Sequence, residues 1–377
     1  MSAAASVATA EGRAGEPRLR DWLLDAALPM WASAGFDATR DLFHEQLNFD
    51  LTSDNATPRR LMVQARQIAL YADAERRGLF PGGELALRAF RQTAANYLHA
   101  DGAPGWAHSL AADGATHDPR RDLYGHAFAL FAIAHVLRLG RNRQANAALA
   151  ATLAVLDDAF AAGPAEGYWE SLPRRERLRR QDPHMHLFEA MLALFETTGD
   201  ERHLQRGERL LDLATRRFAP GKSGVLWETF DEQWNGRPHP HAGVVEPGHL
   251  FEWALLLRQH ARLSRKPRLD LADRWTAFAL RHGVEPEIGR VYAELNDDGE
   301  VRSRHGRVWP HAEAVRLLEA VPGTSAPMSA SIRRRLQKTF CPPELCGGWF
   351  DRVDEFDRPL SSVMPASTLY HLYFALT

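Results

Sequence analysis

The chain has 377 residues, of which 45% are hydrophobic and 25% are charged, a composition typical of a globular protein with a substantial core. Its formal net charge of −2 and pI near 6.8 argue against nucleic acid or an anionic membrane surface as a partner. The two cysteines, Cys341 and Cys346, do not make a disulfide framework in a chain of this length. The chain has no run of 18 apolar residues, so the sequence predicts no membrane span, and we expect a cytoplasmic location.

The N-terminal tail, residues 1–17, is rich in Ala, Gly and Glu and has no apolar segment of signal-peptide type. We predict that this tail is disordered and that residues 18–377 form one domain. The strong preference for Arg and Ala in the domain indicates a GC-rich bacterial genome.

Apolar residues recur at three- and four-residue steps through most of the domain, which predicts amphipathic helices. The stretches with this pattern are Leu19–Trp31, Pro58–Arg77, Glu84–Leu98, Asp122–Leu139, Arg143–Ala161, His184–Thr197, Glu201–Ala219, Pro247–Leu263, Arg268–His282, Pro310–Ala320 and Ser329–Phe340. A further helix start is predicted at Ser367, whereas runs of strand type are short and few.

Short segments, usually a glycine followed by an aromatic or apolar pair and a polar residue, interrupt the helices at regular intervals. Their aromatic residues lie 63, 63, 58, 65 and 57 positions apart, at Phe43, Trp106, Trp169, Trp227, Tyr292 and Trp349. A period of about 60 residues accommodates two helices and their connections. Six such repeats predict an all-α fold, an (α/α)6 barrel in a single domain, with an open α-solenoid as the alternative.

A helix start follows each of these segments, and the residues there are unusually rich in polar and ionisable types. His249 and Glu252 lie three residues apart on one helical face and provide an imidazole beside a carboxylate, as proton transfer requires. In a closed barrel the six starts meet at one mouth, so we expect one shared pocket rather than six separate packing residues. The residues at the other starts are Arg60, Gln64, Arg66, Tyr124, His126, Asp182, His184, His186, Trp309, His311, Glu313, Tyr370 and His371.

The sequence contains no recognised cofactor or metal motif. It has no HExxH segment and no cysteine pair at zinc-ligand spacing. The segment Gly221-Lys222-Ser223 ends like a P-loop, but Arg216 occupies the position of the required upstream glycine. We therefore expect neither a metal ion nor an organic cofactor.

Six motifs together resemble the N-acylglucosamine 2-epimerase superfamily, which also contains cellobiose 2-epimerases and metal-independent mannose isomerases. The motifs are Arg60–Arg66, Asp122–Phe128, His184–Ala190, Pro247–Trp253, Val308–Ala314 and Tyr370-His371. The resemblance extends over nearly the whole chain from about Leu19, and it implies an (α/α)6 barrel and a monosaccharide substrate. The segment Met364–His371 looks like the mannose isomerase branch, which implies interconversion of D-mannose and D-fructose by a monomer or homodimer.

The same resemblance implies a role for each candidate residue. His249 and His371 would be the acid/base pair at the carbons beside the sugar's aldehyde, and His186 would assist ring opening or contact sugar oxygens. Arg66 would stabilise the enediolate oxygen, and Glu252 would orient His249 or bind hydroxyl groups. The implied substrate contacts are Tyr124, Asp182, Trp309 and Glu313.

Three alternatives remain open from the sequence. A 2-epimerase would use the same residues, because returning the C2 proton to C1 gives the ketose, whereas returning it to the opposite face of C2 gives the epimer. A glycoside hydrolase requires two carboxylates, which Glu45, Glu170 and Glu228 in the repeat loops could provide. A non-catalytic scaffold that binds a sugar or a protein is disfavoured, because buried histidines and arginine are costly without a function.

Overall fold

The computed structural model describes residues 19–53, 56–163, 166–236, 243–321 and 326–377. The predicted tail, residues 1–17, lies outside the described residues. Within these ranges the helices are α1 (Leu19–Trp22), α2 (Leu28–Ser33), α3 (Leu61–Arg76), α4 (Gly83–Tyr97), α5 (Leu123–Arg138), α6 (Arg143–Val155), α7 (Gln181–Thr198), α8 (Glu201–Arg217), α9 (Pro247–Ser264), α10 (Leu271–His282), α11 (Val308–Ala320), α12 (Ala326–Arg335) and α13 (Ser367–Leu376).

Short non-α segments and strands connect these helices. π-Helical turns join α1 to α2 and extend α6 and α12, at Leu23–Ala27, Leu156–Phe160 and Leu336–Phe340, and a 3-10 turn spans Pro343–Leu345. The strands are β1 (Phe36–Asp37), β2 (Leu42–Phe43), β3 (Gln46–Asn48), β4 (Arg59–Arg60), β5 (Ser109–Leu110), β6 (Thr116–Asp118), β7 (Arg121–Asp122), β8 (Ala161–Gly163), β9 (Gly167–Tyr168), β10 (Ser171–Leu172), β11 (Arg179–Arg180), β12 (Thr229–Phe230), β13 (Val284–Glu285), β14 (Arg290–Val291), β15 (Glu294–Leu295), β16 (Val301–Ser303), β17 (Gly306–Arg307), β18 (Arg352–Val353) and β19 (Val363–Pro365).

The helices form two concentric rings. The inner ring is α3, α5, α7, α9, α11 and α13, each in contact with the next, and α13 contacts α3 to close the circle. The outer helices α4, α6, α8, α10 and α12 each pack on the inner helix that precedes them, and the α1–α2 unit packs on α13. The predicted (α/α)6 barrel is confirmed, and the open solenoid is excluded because the ring closes.

The sequence patterns explain which helices lie inside. Nearly every residue of α5 and α7 is buried, including four alanines of α5 that let its neighbours approach closely. In contrast, α8 alternates buried leucines with exposed charges, as expected for a helix with one face in solvent. The core therefore lies between the two rings, and the inner helices are left to surround the barrel axis.

A repeated strand pairing fixes the mouth of the barrel. The strand that precedes each inner helix pairs antiparallel with the loop segment of the next repeat, and the last pairing returns to the first repeat. The pairs are β4 with β5, β7 with β10, β11 with β12, Val245 with Leu295, β17 with β18, and β19 with β3. Helix α3 therefore begins at Leu61 rather than at the predicted Thr57-Pro58, because Arg59 and Arg60 are extended in such a pair.

None of the helices in the described ranges is long and apolar enough to cross a lipid bilayer.

Candidate active site

The N-terminal ends of the inner helices enclose a cavity of 370 Å³, within the range of about 300–1,000 Å³ usual for small-molecule sites. Its lining residues are Arg60, Met62, Arg66, Tyr124, Asp182, His186, Glu246, His249, Glu252, Arg307, Trp309, Asp351, Pro365, Ser367, Thr368 and His371. The structure thus brings together eight of the nine candidate residues. The exception is Glu313, which is not among the lining residues.

Two histidines of this cavity each have a carboxylate on the ring nitrogen Nδ1. His249 Nδ1 lies 2.8 Å from Glu228 Oε2, and His371 Nδ1 lies 2.7 Å from Glu313 Oε1. The ring of Trp309 is beside both imidazoles, with centroid distances of 4.9 Å to His249 and 5.6 Å to His371. Because Nδ1 is occupied in both rings, Nε2 is the nitrogen left for a ligand in the cavity.

Glu252 is not the carboxylate on Nδ1 of His249, so the first of the two roles implied by the resemblance, orienting this histidine, is not supported. Glu228 has this position because the loop before α9 delivers it there, where its Oε1 accepts from the backbone N–H of Glu246 at 3.1 Å. Glu252 instead lies 3.9 Å from Nδ1 of His371, and its Oε2 is buried without a hydrogen-bond partner. An unpartnered buried oxygen in a cavity wall is suited to a substrate hydroxyl group.

Glu228 is itself held by buried groups behind it. Gln181 donates Nε2–H to Glu228 Oε2 at 2.9 Å, and Trp253 Nε1–H donates to Gln181 Oε1 at 2.6 Å. The sequence marks this carboxylate by a Trp-Glu pair, although Glu228 was a candidate only for the hydrolase alternative. The Trp-Glu pair recurs in two loops, and Glu170, the other example, likewise accepts from a backbone N–H at the start of an inner helix, that of Arg180.

The surroundings of the two histidines favour opposite protonation states. Burial alone would lower the pKa of His249, but the carboxylates of Glu228 and Glu246 outweigh it and raise this pKa well above its usual value. Burial lowers the pKa of His371 well below its usual value, and the cation of Arg66 lowers it further. The two imidazoles of one cavity are thus pushed in opposite directions, as is usual for groups that have different roles in proton transfer.

Arg66 provides a fixed positive charge in the wall of the cavity. Its Nη2 donates to Tyr124 Oη at 2.8 Å and its Nη1 donates to the carbonyl of Ser367 at 3.3 Å. The guanidinium carbon lies 4.2 Å from the ring centroid of Phe128 and 4.9 Å from that of Tyr370. Arg66 has no carboxylate partner among the described residues, so its charge is available to an oxyanion.

His186 is tied to a buried network. Its Nδ1 lies 3.1 Å from Glu189 Oε2, and Tyr370 donates its hydroxyl to Glu189 Oε1 at 2.7 Å. Burial would raise the pKa of Glu189, but the hydrogen bond from His186 outweighs it and lowers this pKa to about 2. His186 faces the cavity and lies edge-on to Tyr124, with ring centroids 5.1 Å apart.

Three histidines expected at the mouth are instead structural. His126, His184 and His311 each accept the backbone N–H of a repeat loop at Nε2, at 3.1, 3.1 and 3.0 Å, and donate Nδ1–H to the carbonyl four residues earlier. Gln64 holds the loop at Phe43 in the same way. A Cβ on Gly167, whose φ is +70°, would lie 2.8 Å from His184 Nε2, which explains the glycine in this repeat loop.

Glu313 lies behind the cavity wall. One of its oxygens contacts His371, and the other accepts Nη1–H of Arg316 at 3.2 Å. With both oxygens occupied and its side chain fully buried, Glu313 positions His371 rather than contacting the substrate. The substrate contact implied for this residue by the resemblance is therefore not supported by its position.

Three other acids of the cavity have raised pKa values. Burial raises the pKa of Asp182 to about 6, that of Glu246 to about 7, and that of Glu252 well above its usual value. Two clusters of side chains could hold a cation, because the ligand atoms within each cluster lie within 4.8 Å of one another. One cluster is Glu228, Glu246 and His249, and the other is Glu252, Glu313 and His371. In both groups the histidine Nδ1 is already in a carboxylate hydrogen bond.

A side chamber of 240 Å³ adjoins the main cavity and shares Arg60, Met62, Tyr124 and Asp182 with it. Glu170 lines this chamber, and burial raises its pKa to about 8. The other two carboxylates considered for glycoside hydrolysis are engaged elsewhere, because Glu45 accepts from Arg60 Nε at 2.6 Å and Glu228 holds His249. Of these three carboxylates only Glu170 is therefore available, and they do not provide the pair that glycoside hydrolysis requires.

Sequence comparison finds a known family for the chain, since residues 43–375 match the N-acylglucosamine 2-epimerase (GlcNAc 2-epimerase) family. The chain belongs to this family. It is 34% identical to a mannose-6-phosphate isomerase from Rhizobium meliloti over 97% of this chain and 96% of that protein. The resemblance deduced from the six motifs is therefore confirmed.

Solved structures show the same fold. A D-mannose isomerase superimposes with a TM-score of 0.84 at 19% identity, covering 98% of both chains. A cellobiose 2-epimerase from Bacillus thermoamylovorans superimposes with a TM-score of 0.81 at 18% identity, covering 95% of this chain and 97% of that one. The family and these relatives are all named as isomerases or epimerases, in agreement with the predicted class of enzyme.

Proposed function

We propose that the protein is an aldose–ketose isomerase that interconverts D-mannose and D-fructose without a metal ion. The observation that carries the proposal is the pair of histidines beside Trp309 in one cavity, each with a carboxylate on Nδ1. The names of the relatives support a mannose-type substrate, since both a mannose-6-phosphate isomerase and a D-mannose isomerase are among them.

The proton transfers follow from this pair. Neutral His371 takes the proton from C2 of the open-chain aldose, while protonated His249 gives its proton to the carbonyl oxygen O1. The product is an enediol, and Arg66 stabilises the negative charge that develops on the oxygen during the transfer. His371 then returns its proton to C1 and His249 removes the proton from O2, which gives the ketose and restores both histidines.

Other cavity residues bind the sugar in this proposal. Tyr124 and Trp309 offer aromatic surfaces, and Asp182 and Glu252 offer carboxyl groups for hydroxyls. His186, held by Glu189, assists opening of the sugar ring. All five of these side chains line the cavity.

A 2-epimerase is the second candidate, and one observation favours it. Both His249 and His371 line the cavity beside Trp309, so a second proton donor is available to C2. Returning the proton to the opposite face of C2 would convert mannose to glucose.

The experiment is NMR of the purified protein with D-mannose in D2O and EDTA. Fructose is the expected product, whereas glucose as the early product would replace the isomerase by the epimerase. The variant His371→Ala should remain folded by circular dichroism and lose turnover. Near-normal activity in the folded variant, or neither product nor deuterium incorporation with the unaltered protein, would refute the proposal.

A further inference from the structure

A second cavity lies at the opposite end of the barrel from the candidate active site. Its volume is 580 Å³, and its lining comes from the C-terminal halves of α9, α11 and α13, including Arg258, Arg262 and Arg316. Arg258 Nη2 lies 2.8 Å from Asp273 Oδ1, and that carboxylate is exposed. Arg262 Nη2 lies 2.7 Å from Glu196 Oε1, also a partly exposed carboxylate. Arg316 differs from both, because its side chain is only 19% exposed and its partner lies in the protein interior.

Arg316 is joined to His371 through one buried carboxylate. Its Nη1 donates to Glu313 Oε2 at 3.2 Å, and Glu313 Oε1 lies 2.7 Å from Nδ1 of His371. The side chain of Glu313 is fully buried, and among the described residues Arg316 is the one arginine or lysine that forms an ion pair with it. Arg316, Glu313 and His371 therefore form a continuous chain of contacts from the second cavity to the catalytic one.

The interior around Glu313 disfavours an ionised carboxylate. Burial raises the pKa of Glu313, the charge of Arg316 is the largest influence that lowers it, and the neighbouring carboxylate of Glu189 raises it. Glu252 is a third buried acid in this region, and Arg316 interacts with all three. The titratable groups that interact with Glu313 are His186 and Glu189 on α7, Glu252 on α9, Arg316 on α11, and Tyr370 and His371 on α13.

The state of Glu313 decides which ring nitrogen of neutral His371 carries the proton. An ionised carboxylate can only accept a hydrogen bond, so it requires N–H at Nδ1 of His371 and leaves the lone pair of Nε2 free. A protonated Glu313 would instead donate to Nδ1, and the proton of His371 would then be on Nε2. In that tautomer the nitrogen left for the substrate has no lone pair with which to take a proton.

We propose that Arg316 is a positioning residue of the reaction, which keeps Glu313 a hydrogen-bond acceptor and thereby holds His371 in the tautomer with N–H at Nδ1. This inference rests on the proposed isomerase function and extends the catalytic arrangement to a residue that does not line the catalytic cavity. An ion pair that served the fold alone would leave the tautomer of His371 unchanged when it was removed.

The first test compares kcat and KM for D-mannose in the unaltered protein, Arg316→Met and Arg316→Lys. Methionine removes the charge and retains an apolar stem, so we expect kcat to fall at least about tenfold with a smaller change in KM. Lysine should restore part of kcat, because it retains the charge. The matched control is Arg262→Met, which removes a cation from the same cavity wall but not from Glu313 and should keep both kinetic constants.

The second test reads the tautomer directly, by NMR of protein labelled with 15N-histidine, with the His371 signals assigned by comparison with His371→Ala. We expect the proton on Nδ1 in the unaltered protein, in Arg262→Met and in Arg316→Lys. In Arg316→Met we expect a shift of the proton toward Nε2. If Arg316→Met does not fold, as judged by circular dichroism, Arg316→Gln replaces it, because glutamine also lacks the charge but retains a donor for Glu313.

Three results would overturn the inference. One is a proton on Nε2 of His371 in the unaltered protein, and another is unchanged kcat in a folded, uncharged variant of Arg316. The third is a loss of kcat in that variant while the proton stays on Nδ1, because Arg316 would then act only through the fold. If the unaltered protein converts no mannose, the proposed function fails, whereas the tautomer measurement still decides the role of Arg316.

Discussion

The hydrogen bond between His249 and Glu228 gives a specific prediction, because one substitution in the loop that carries Glu228 removes the charge beside the imidazole on α9. At 2.8 Å and an effective dielectric constant of about 20, two unit charges attract by about 6 kcal/mol. Glu228→Gln retains an oxygen acceptor but loses the charge. Since a neutral hydrogen bond is about half as strong as a charge-assisted one, we expect a loss of about 3 kcal/mol.

In the proposed mechanism this loss affects protonated His249, the group that gives its proton to O1. A loss of about 3 kcal/mol lowers the pKa of His249 by about two units, so at high pH the protonated fraction, and with it kcat, falls by up to about 10²-fold. The high-pH limb of the kcat profile should therefore move to lower pH. The assay is mannose turnover from about pH 5 to pH 10, with the His249 ring followed by NMR titration.

The matched control is Glu208→Gln, which also removes a carboxylate facing a histidine. Glu208 lies 3.5 Å from His260 Nε2 and lines neither cavity of the mouth. We expect this variant to keep both kcat and its pH profile. A folded Glu228→Gln protein with unchanged kcat and an unchanged His249 titration would show that Glu228 does not set the charge of this imidazole.

Three further predictions follow from the same contacts. Arg66→Lys should lower kcat by about 10²-fold with a smaller change in KM, measured by initial rates, because lysine lacks the paired donors aimed at the oxyanion. His184→Ala should lower the free energy of unfolding by about 2–4 kcal/mol in urea titrations, because it leaves two backbone groups unpaired and a cavity, while kcat per folded molecule stays normal. The stabilising effect of Glu228 over Glu228→Gln should be full below about pH 6.5, the unfolded pKa of His249, and should fade as the pH rises through the higher folded value, in urea titrations across that range.

Each of these predictions has a distinct contradicting result. Full kcat in Arg66→Lys would remove Arg66 from oxyanion stabilisation. An undiminished unfolding midpoint in His184→Ala would show that this histidine does not hold the loop at Tyr168. A stability difference that grows above the folded pKa of His249 would reverse the sign deduced here for Glu228.

The sequence by itself determined the repeat. Six aromatic loop segments about 60 residues apart, each followed by a helix start, predicted six helix pairs, and the contact of α13 with α3 then decided for the closed barrel over the open solenoid. The cavity residues were found in the same way, because residues at the same place in each repeat meet at the mouth whatever the details of packing. His249, His371 and Arg66 are at the cavity for this reason.

Only the tertiary structure decided which polar group meets which. Glu228, in a loop, reaches His249 from 21 residues away, and Glu313, on α11, reaches His371 on α13 from 58 residues away, so neither pair follows from a helical spacing. His184 and His186 illustrate the same limit. Both look equally functional in sequence, yet the direction of each Cα–Cβ bond on α7 sends one ring to a backbone loop and the other to the cavity.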